Sequence, residues 1–318
     1  MNMVLTIARV LAISLAGTLL LSSCTYDQPI VHAEASLQWT SPESVDLSLM
    51  AASCASPGWC LASDLQGRYV IYQRSRWSSP RAMPMGWDPD VISCAPGKFC
   101  IAAEDGRPAQ AFVYSGAGWK SRALLPGLDG VVEVSCTSAT YCMALDSAGD
   151  IAVFDGTAWS SSKPVRRLSG RVSLSCARPS FCAVVNADGI AWTYDRGQWA
   201  HPVRLGFRHV LLTCASEQFC MAEDSYQGTY AIYNGSQWFT SDQKIRSDDG
   251  RVTALACPGN RECVALTTTH HVLSYGGTGW LDTHIVRRGY YHFLMCPSPS
   301  FCLATGFPYS PNPFIVGR

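Results

Sequence analysis

The sequence predicts an all-β fold, and three regularities carry that prediction. Fourteen of its fifteen cysteines fall into seven pairs with five residues between partners: Cys54/Cys60, Cys94/Cys100, Cys136/Cys142, Cys176/Cys182, Cys214/Cys220, Cys257/Cys263 and Cys296/Cys302. Successive pairs begin 40, 42, 40, 38, 43 and 39 residues apart, a period that marks a repeat architecture. In six units an aromatic residue stands five positions before a tryptophan, at Tyr72/Trp77, Tyr114/Trp119, Phe154/Trp159, Tyr194/Trp199, Tyr233/Trp238 and Tyr275/Trp280. Each unit then reads as four short strands joined by three tight hairpins and one long connector. The expectation is a seven-bladed β-propeller of four-stranded antiparallel blades.

The four strands are legible in order. The first runs into the leading cysteine, as in Val131-Val132-Glu133-Val134-Ser135-Cys136, and a small residue usually precedes that cysteine (Ser53, Ser93, Ser135, Ser175, Thr213, Ala256). The second starts at the trailing cysteine, which usually follows an aromatic (Trp59, Phe99, Tyr141, Phe181, Phe219, Phe301). Polar turns such as Asn186-Ala187-Asp188-Gly189 follow, with the residue types that close tight hairpins. The third strand is aromatic and aliphatic, as in Tyr230-Ala231-Ile232-Tyr233, and a turn such as Asn234-Gly235-Ser236 leads to the tryptophan of the fourth.

The last unit lacks that tryptophan, because the chain stops at Arg318 after a third strand near Pro313 to Val316. Ser36-Leu37-Gln38-Trp39, followed by Thr40-Ser41-Pro42, parallels Trp77-Ser78-Ser79-Pro80 of the first full unit. The N-terminal segment is therefore expected to supply the outer strand of the last blade, leaving no free sheet edge where the ring closes. Facing positions of a hairpin lie about 4.5–5.5 Å apart, within reach of a disulfide, so each cysteine is paired with its partner in the same unit. Zinc sites usually combine two close cysteine pairs, whereas these pairs fall in different blades.

Ahead of the repeat, Arg9 is followed by a largely apolar run from Val10 to Leu21, short for a membrane span and apt for an export signal. Its ending, Leu21-Ser22-Ser23-Cys24, resembles the bacterial lipobox. That resemblance implies a signal peptide over residues 1–23 and lipidation of Cys24, with residues 24–35 as a tether and 36–318 as the propeller. It also implies a membrane attachment through the Cys24 lipid and an address on the extracytoplasmic face of the cell membrane, where oxidised cysteines persist. The repeat itself resembles exported actinobacterial lipoproteins built from Ser-Cys-x5-Cys and Tyr-x-Gly-x-x-Trp units. The turn Phe154-Asp155-Gly156-Thr157-Ala158-Trp159 also resembles the Asp-box of sialidase-type propellers, with a different Asp-to-Gly spacing. That box is a structural turn, and no hydrolase activity follows from it.

Charge excludes one large class of partner. With 24 basic and 24 acidic residues, the chain lacks the cationic excess of a nucleic-acid binder. No nucleophile elbow, metalloprotease helix or phosphate loop is present. His270-His271 are neighbours, and on a strand neighbours point to opposite faces, which does not suit one metal. Asp64, Glu104, Asp146, Asn186 and Asp224 each lie four residues after a second cysteine, and this recurrence points to a hairpin-turn role. No cofactor and no metal are expected.

Function is expected where the repeat is broken, on the face shared by the long connectors and the turns between second and third strands. That face would carry Trp87, Asp88, Tyr226, Asp248, Asp249, Arg287, Arg288 and Tyr290, with Phe307 and Tyr309. Aromatics beside charges suit protein, peptide or sugar contact. The expectation is a monomeric, lipid-anchored binding or scaffold module for an envelope protein or glycan, without catalysis. The alternative is a carbohydrate-active propeller, either a lectin or a glycoside hydrolase.

Overall fold

The computed structural model describes residues 37–318 apart from 46, 85–88, 121–122, 162, 166–167, 169, 246–249, 287–290 and 307–311. Seven antiparallel sheets are formed, six with their strands in chain order from inner to outer edge and the seventh completed at its outer edge by the N-terminal strand. The inner strands are Leu49–Ser56, Val91–Ala95, Glu133–Ser138, Val172–Arg178, Val210–Ser216, Val252–Gly259 and Tyr291–Ser298. Each contacts the next, and the seventh meets the first, so the sheets form a ring of seven blades. Blades are numbered here by their cysteine pairs.

A blade packs against neighbours on both faces, which explains why the second strands are largely apolar and buried rather than alternating. Phe181–Asn186, for example, is buried at every residue. Buried side chains gather into seven clusters, one at each junction between adjacent blades. The aromatic before a second cysteine belongs to the next junction. Trp59 packs with the Cys94/Cys100 bridge of blade 2, and Phe99 with Cys142 of blade 3. Cross-blade ring pairs follow, Trp59–Tyr114 at 5.8 Å and Phe181–Tyr233 at 5.6 Å.

The cysteine pairs are joined as seven disulfides, each closing the first hairpin of its own blade. Their Cα atoms are 3.9–4.1 Å apart, closer than the ordinary strand spacing on which the pairing was argued. In blades 1 to 5 the partners face each other in the ladder, as Cys54↔Cys60 and Cys214↔Cys220 do. Blades 6 and 7 keep the bond and the spacing, at 4.0 and 4.1 Å, but interrupt the ladder at the cysteines. In blade 6 the register jumps from Ala256↔Val264 to Gly259↔Glu262, so Cys257 and Cys263 are bridged across a bulge rather than as a ladder pair. In blade 7 it jumps from Met295↔Leu303 to Ser298↔Phe301, with Cys296 and Cys302 in the gap. A proline, with no amide to give the ladder, follows the first cysteine in both: Pro258 and Pro297. Cys263 is still buried, with Cys257, in the junction between blades 5 and 6.

The residue before the first cysteine has an equally specific task. Ser53 Oγ accepts a hydrogen bond from the Cys94 amide of the next blade at 2.9 Å, and Ser93, Ser135 and Ser175 do the same toward Cys136, Cys176 and Cys214. Thr213 Oγ1 continues the belt to Cys257 at 3.2 Å. Blades 6 and 7 carry Ala256 and Met295 there and have no hydroxyl to offer. Ser135→Ala would leave the Cys176 amide without its acceptor between two blades, a loss of about 1–3 kcal/mol in chemical denaturation. Ser135→Thr is expected to keep the wild-type midpoint.

Closure follows the sequence reading and extends it. Trp39 bridges Gly317, while Gln38 and Arg318 exchange backbone hydrogen bonds at 2.9 and 3.1 Å. The outer strand then resumes beyond Pro42 as Glu43–Val45, paired with Phe314, Pro313 and Asn312. The same break occurs in blade 1, between Arg76–Trp77 and Arg81–Ala82, and in blade 4, between Gln198–Trp199 and Val203–Arg204. Pro42, Pro80 and Pro202 lie in these gaps, where an edge strand tolerates a residue with no amide to donate. In other blades an aromatic faces the tryptophan; in blade 7 that place falls to Gly317. A Cβ on Gly317 would come within 3.0 Å of the Trp39 indole, so the ring lies directly on the backbone. Trp39→Ala should therefore cost about 2–3 kcal/mol in thermal or urea unfolding, with hydrogen exchange of the Val316 and Arg318 amides rising first.

Candidate functional site

The hairpin turns on the connector face share one design. Asp64 Oδ1 accepts the amides of Gln66 and Arg68, Asp146 Oδ1 those of Ala148 and Asp150, and Asn186 Oδ1 those of Asp188 and Ile190, at 2.8–3.1 Å. Such a side chain nucleates a turn by mimicking a backbone acceptor. In blade 4 the turn ends at Gly189, whose φ is +69° and where an added Cβ would come within 2.4 Å of the Phe207 carbonyl oxygen.

Blade 5 departs from this design. Its turn, Asp224-Ser225-Tyr226-Gln227-Gly228, is one residue longer than Asp146-Ser147-Ala148-Gly149. Asp224 Oδ1 accepts both the Tyr226 and Gln227 amides, at 3.0 and 3.1 Å, and its Oδ2 accepts the Arg208 amide at 2.9 Å. The lengthened turn pushes Tyr226 outward, leaving it 52% exposed. Its ring lies 4.3 Å from the His209 ring, centroid to centroid, and the Arg251 guanidinium carbon stands 4.2 Å from its centroid.

Three backbone segments from two blades are knitted beneath this cluster. Ser225 donates to the His209 carbonyl through its amide at 3.2 Å and its hydroxyl at 2.8 Å. The Val252 amide donates to the Ser225 carbonyl at 3.2 Å, and the Arg251 amide to Thr268 Oγ1 at 3.0 Å. Arg208, His209, Tyr226 and Arg251 are exposed side chains on pinned backbone. Neither guanidinium makes an ion pair with a described residue.

Under the same turn lies Glu223, fully buried, with neither carboxylate oxygen hydrogen-bonded. Burial, and secondarily the neighbouring Asp224 charge, push its pKa well above the ordinary carboxylate range. The equivalent positions, three residues after the second cysteine, are Ser63, Ala103, Leu145, Val185, Leu266 and Thr305. Glu223 is thus the one ionisable side chain at that level of the repeat.

Of the expected ligand-face residues, Tyr226 falls at this site. Trp87, Asp88, Asp248, Asp249, Arg287, Arg288 and Tyr290 lie outside the described residues, as do Phe307, Tyr309 and the lipidation candidate Cys24. The fourteen repeat cysteines belong to the frame and not to the site. Each is spent in a disulfide, and every second cysteine is buried, with Cys263 the most accessible of them at 2%. The structure adds Arg208, His209 and Arg251 to Tyr226. The extra turn residue and the unmatched Glu223 are the sequence signals that mark the place. The adjacent pair Glu223-Asp224 proves to be two different groups, one sealed inside the blade and one spent on the turn. At the histidine pair, His271 meets Asp282 of the outer strand, and His270 occupies the turn with a φ of +67°.

No family model and no curated protein sequence matches the chain. Solved structures do match in shape. YCF48 bound to D1 peptide superposes with a TM-score of 0.65 at 14% identity, covering 88% of this chain and 96% of that one. YCF48 from Cyanidioschyzon merolae gives 0.67 at 13% identity, covering 88% of this chain and 98% of that one. The protein U3-55K gives 0.67 at 10% identity, covering 90% and 99%. At these identities the likeness is one of fold, and it places the chain among β-propellers.

Proposed function

We propose that this protein is a lipid-anchored, extracytoplasmic binding module that docks a protein partner on the connector face of its propeller. The observation that carries the reading is the blade 5–6 cluster: exposed Tyr226, Arg208, His209 and Arg251 on backbone fixed by hydrogen bonds within the ring. Exposed aromatic and arginine side chains on a rigid frame are the usual composition of a protein interface centre. The anchor and address are supported by the disulfides. Fourteen cysteines are consumed in seven bonds, which suits an oxidising compartment, and Cys24 is the cysteine left over. YCF48 bound to D1 peptide, a polypeptide on a propeller of this shape, adds support for a protein partner.

The test is capture of partners by the full chain from detergent-solubilised envelope, with crosslinks mapped by mass spectrometry. A stoichiometric protein crosslinked to the segments around residues 208–209, 224–228 and 251 is the expected outcome. Crosslinks confined to the cysteine-hairpin face or the outer rim would overturn the reading. So would glycan hydrolysis abolished by Asp224→Asn. For the anchor, a palmitate analogue should label the wild-type chain and not Cys24→Ser; equal labelling of both would remove it.

A further inference from the structure

We infer that the blade 5–6 cluster takes an acidic segment of a partner polypeptide, whose carboxylates are gripped by Arg208 and Arg251 and whose apolar neighbour covers the edge of Tyr226. The inference deepens the binding-module reading and rests on it.

Charge is the first argument. Arg251 and His209 lie against Tyr226, Arg208 precedes His209 on the same connector, and the two arginines outnumber the one carboxylate, Asp224, that holds the blade 5 turn. Asp224 has both oxygens occupied by the amides of Arg208, Tyr226 and Gln227, and Glu223 is sealed from solvent. Among the described residues, a chain balanced overall therefore presents a local cationic patch with its guanidinium donors unspent. The planar fork of arginine matches a carboxylate with two parallel hydrogen bonds.

Preorganisation is the second. The Tyr226 ring, 4.2 Å away, holds the Arg251 guanidinium through its π face, a contact that leaves the N–H donors free at the edge. The Thr268 hydroxyl fixes the Arg251 backbone and Asp224 fixes that of Arg208. Side chains already held in place lose less freedom when a ligand arrives.

The third argument separates polypeptide from glycan. A pyranose binds aromatic residues by stacking on an open ring face. His209 and Arg251 already lie at 4.3 and 4.2 Å from the Tyr226 ring, so a sugar would have to displace one of them. The residue is nevertheless half exposed, which gives an apolar side chain on the partner a surface to cover, as a bare anion would not.

Fluorescence anisotropy with the purified full chain tests this. The probe is a fluorescein-labelled peptide of about ten residues containing several Glu and two Phe, compared with the same peptide carrying Gln for every Glu. The Glu peptide is expected to bind at least about tenfold more tightly, and raised salt should erode the difference. Arg208→Glu with Arg251→Glu should weaken the Glu peptide at least about tenfold, and Tyr226→Phe by less than about twofold. Unchanged melting of the charge-reversed variant keeps its loss from being read as unfolding. Equal binding of the two peptides, or no effect of charge reversal, overturns the inference. Binding of anionic phosphatidylglycerol vesicles or polygalacturonate in place of the peptide overturns it as well. If charge reversal leaves the captured envelope partner in place, this inference fails while the binding-module reading stands. If no partner is captured at all, the failure lies with the broader reading.

Discussion

Complete reduction of the seven disulfides is expected to unfold the ring under conditions where the oxidised protein is stable. Each bond closes a small loop in the first hairpin of its blade, worth about 2.4 kcal/mol of unfolded-chain entropy for a ring of about seven residues. Seven such terms sum to at most about 17 kcal/mol, more than the net stability of most domains, about 5–15 kcal/mol. The bridges also fill the blade junctions: Cys60, Cys100, Cys142, Cys182, Cys220 and Cys302 are fully buried, and Cys263 nearly so. Reductant should thus act slowly on the native ring and quickly in mild denaturant. The check is near-ultraviolet circular dichroism of the tryptophans against a thiol count. A fully reduced protein that keeps its signal and melts within a few degrees of the oxidised form would show that blade packing alone suffices. Replacing only Cys136 and Cys142 with serine should cost about 2 kcal/mol and leave the fold intact.

Glu223→Leu is expected to stabilise the protein and to reduce its dependence on pH. Leu145 and Leu266 fill the equivalent place in blades 3 and 6, so the volume is one the repeat accepts. The sign follows from linkage. Burial raises the pKa of Glu223 in the folded state, so its contribution to stability is complete below the unfolded value near 4.5 and is lost as pH rises toward the folded one. Glu133 behaves alike, its pKa raised by burial to about 8 and held back by Arg171. Between about pH 6.5 and 8 the wild type should lose up to about 1.4 kcal/mol per pH unit for each carboxyl that keeps its proton in the fold. Glu223→Leu removes one of these contributions, and at about pH 7.5 it should gain roughly 2–4 kcal/mol, several degrees in melting temperature. Glu133→Gln should remove the other. A variant less stable than wild type at pH 7.5, or a wild type whose stability rises from pH 6.5 to 8, would contradict this.

The fold is legible in the sequence because each blade repeats the chemistry that its junctions need. The aromatic before the second cysteine, the serine before the first and the aromatic–tryptophan pair are each one side of a contact with a neighbouring strand or blade, so spacing in the chain mirrors spacing in the ring. Closure is legible for the same reason, since Trp39 answers the missing last tryptophan. The continuation of that outer strand beyond Pro42 is harder to see, because a strand of three residues has no period to read. The cysteine count likewise gives the Cys257–Cys263 bond but not the bulge it spans, which depends on Pro258 and the local register. The site is a different matter. Tyr226 stands out as an aromatic in a turn, but its partners come from two other connectors, at Arg208-His209 and Arg251, and no pattern in one unit announces a contact between units. Glu223 reads as a surface carboxylate beside Asp224. Its burial follows from the packing of neighbouring blades on both faces of the strand, which buries Glu223 and Asp224 alike while parity sends them to opposite faces.

Whether the connector face of blades 5 and 6 is where a partner docks can be read most directly by photo-crosslinking in living cells. A photoreactive phenylalanine in place of Tyr226 should trap one discrete protein species. The same residue in place of Ala148, in the matching turn of blade 3, should trap little. Equal trapping at both turns, or none at Tyr226 with strong trapping at Phe239 on the outer rim, would contradict the account.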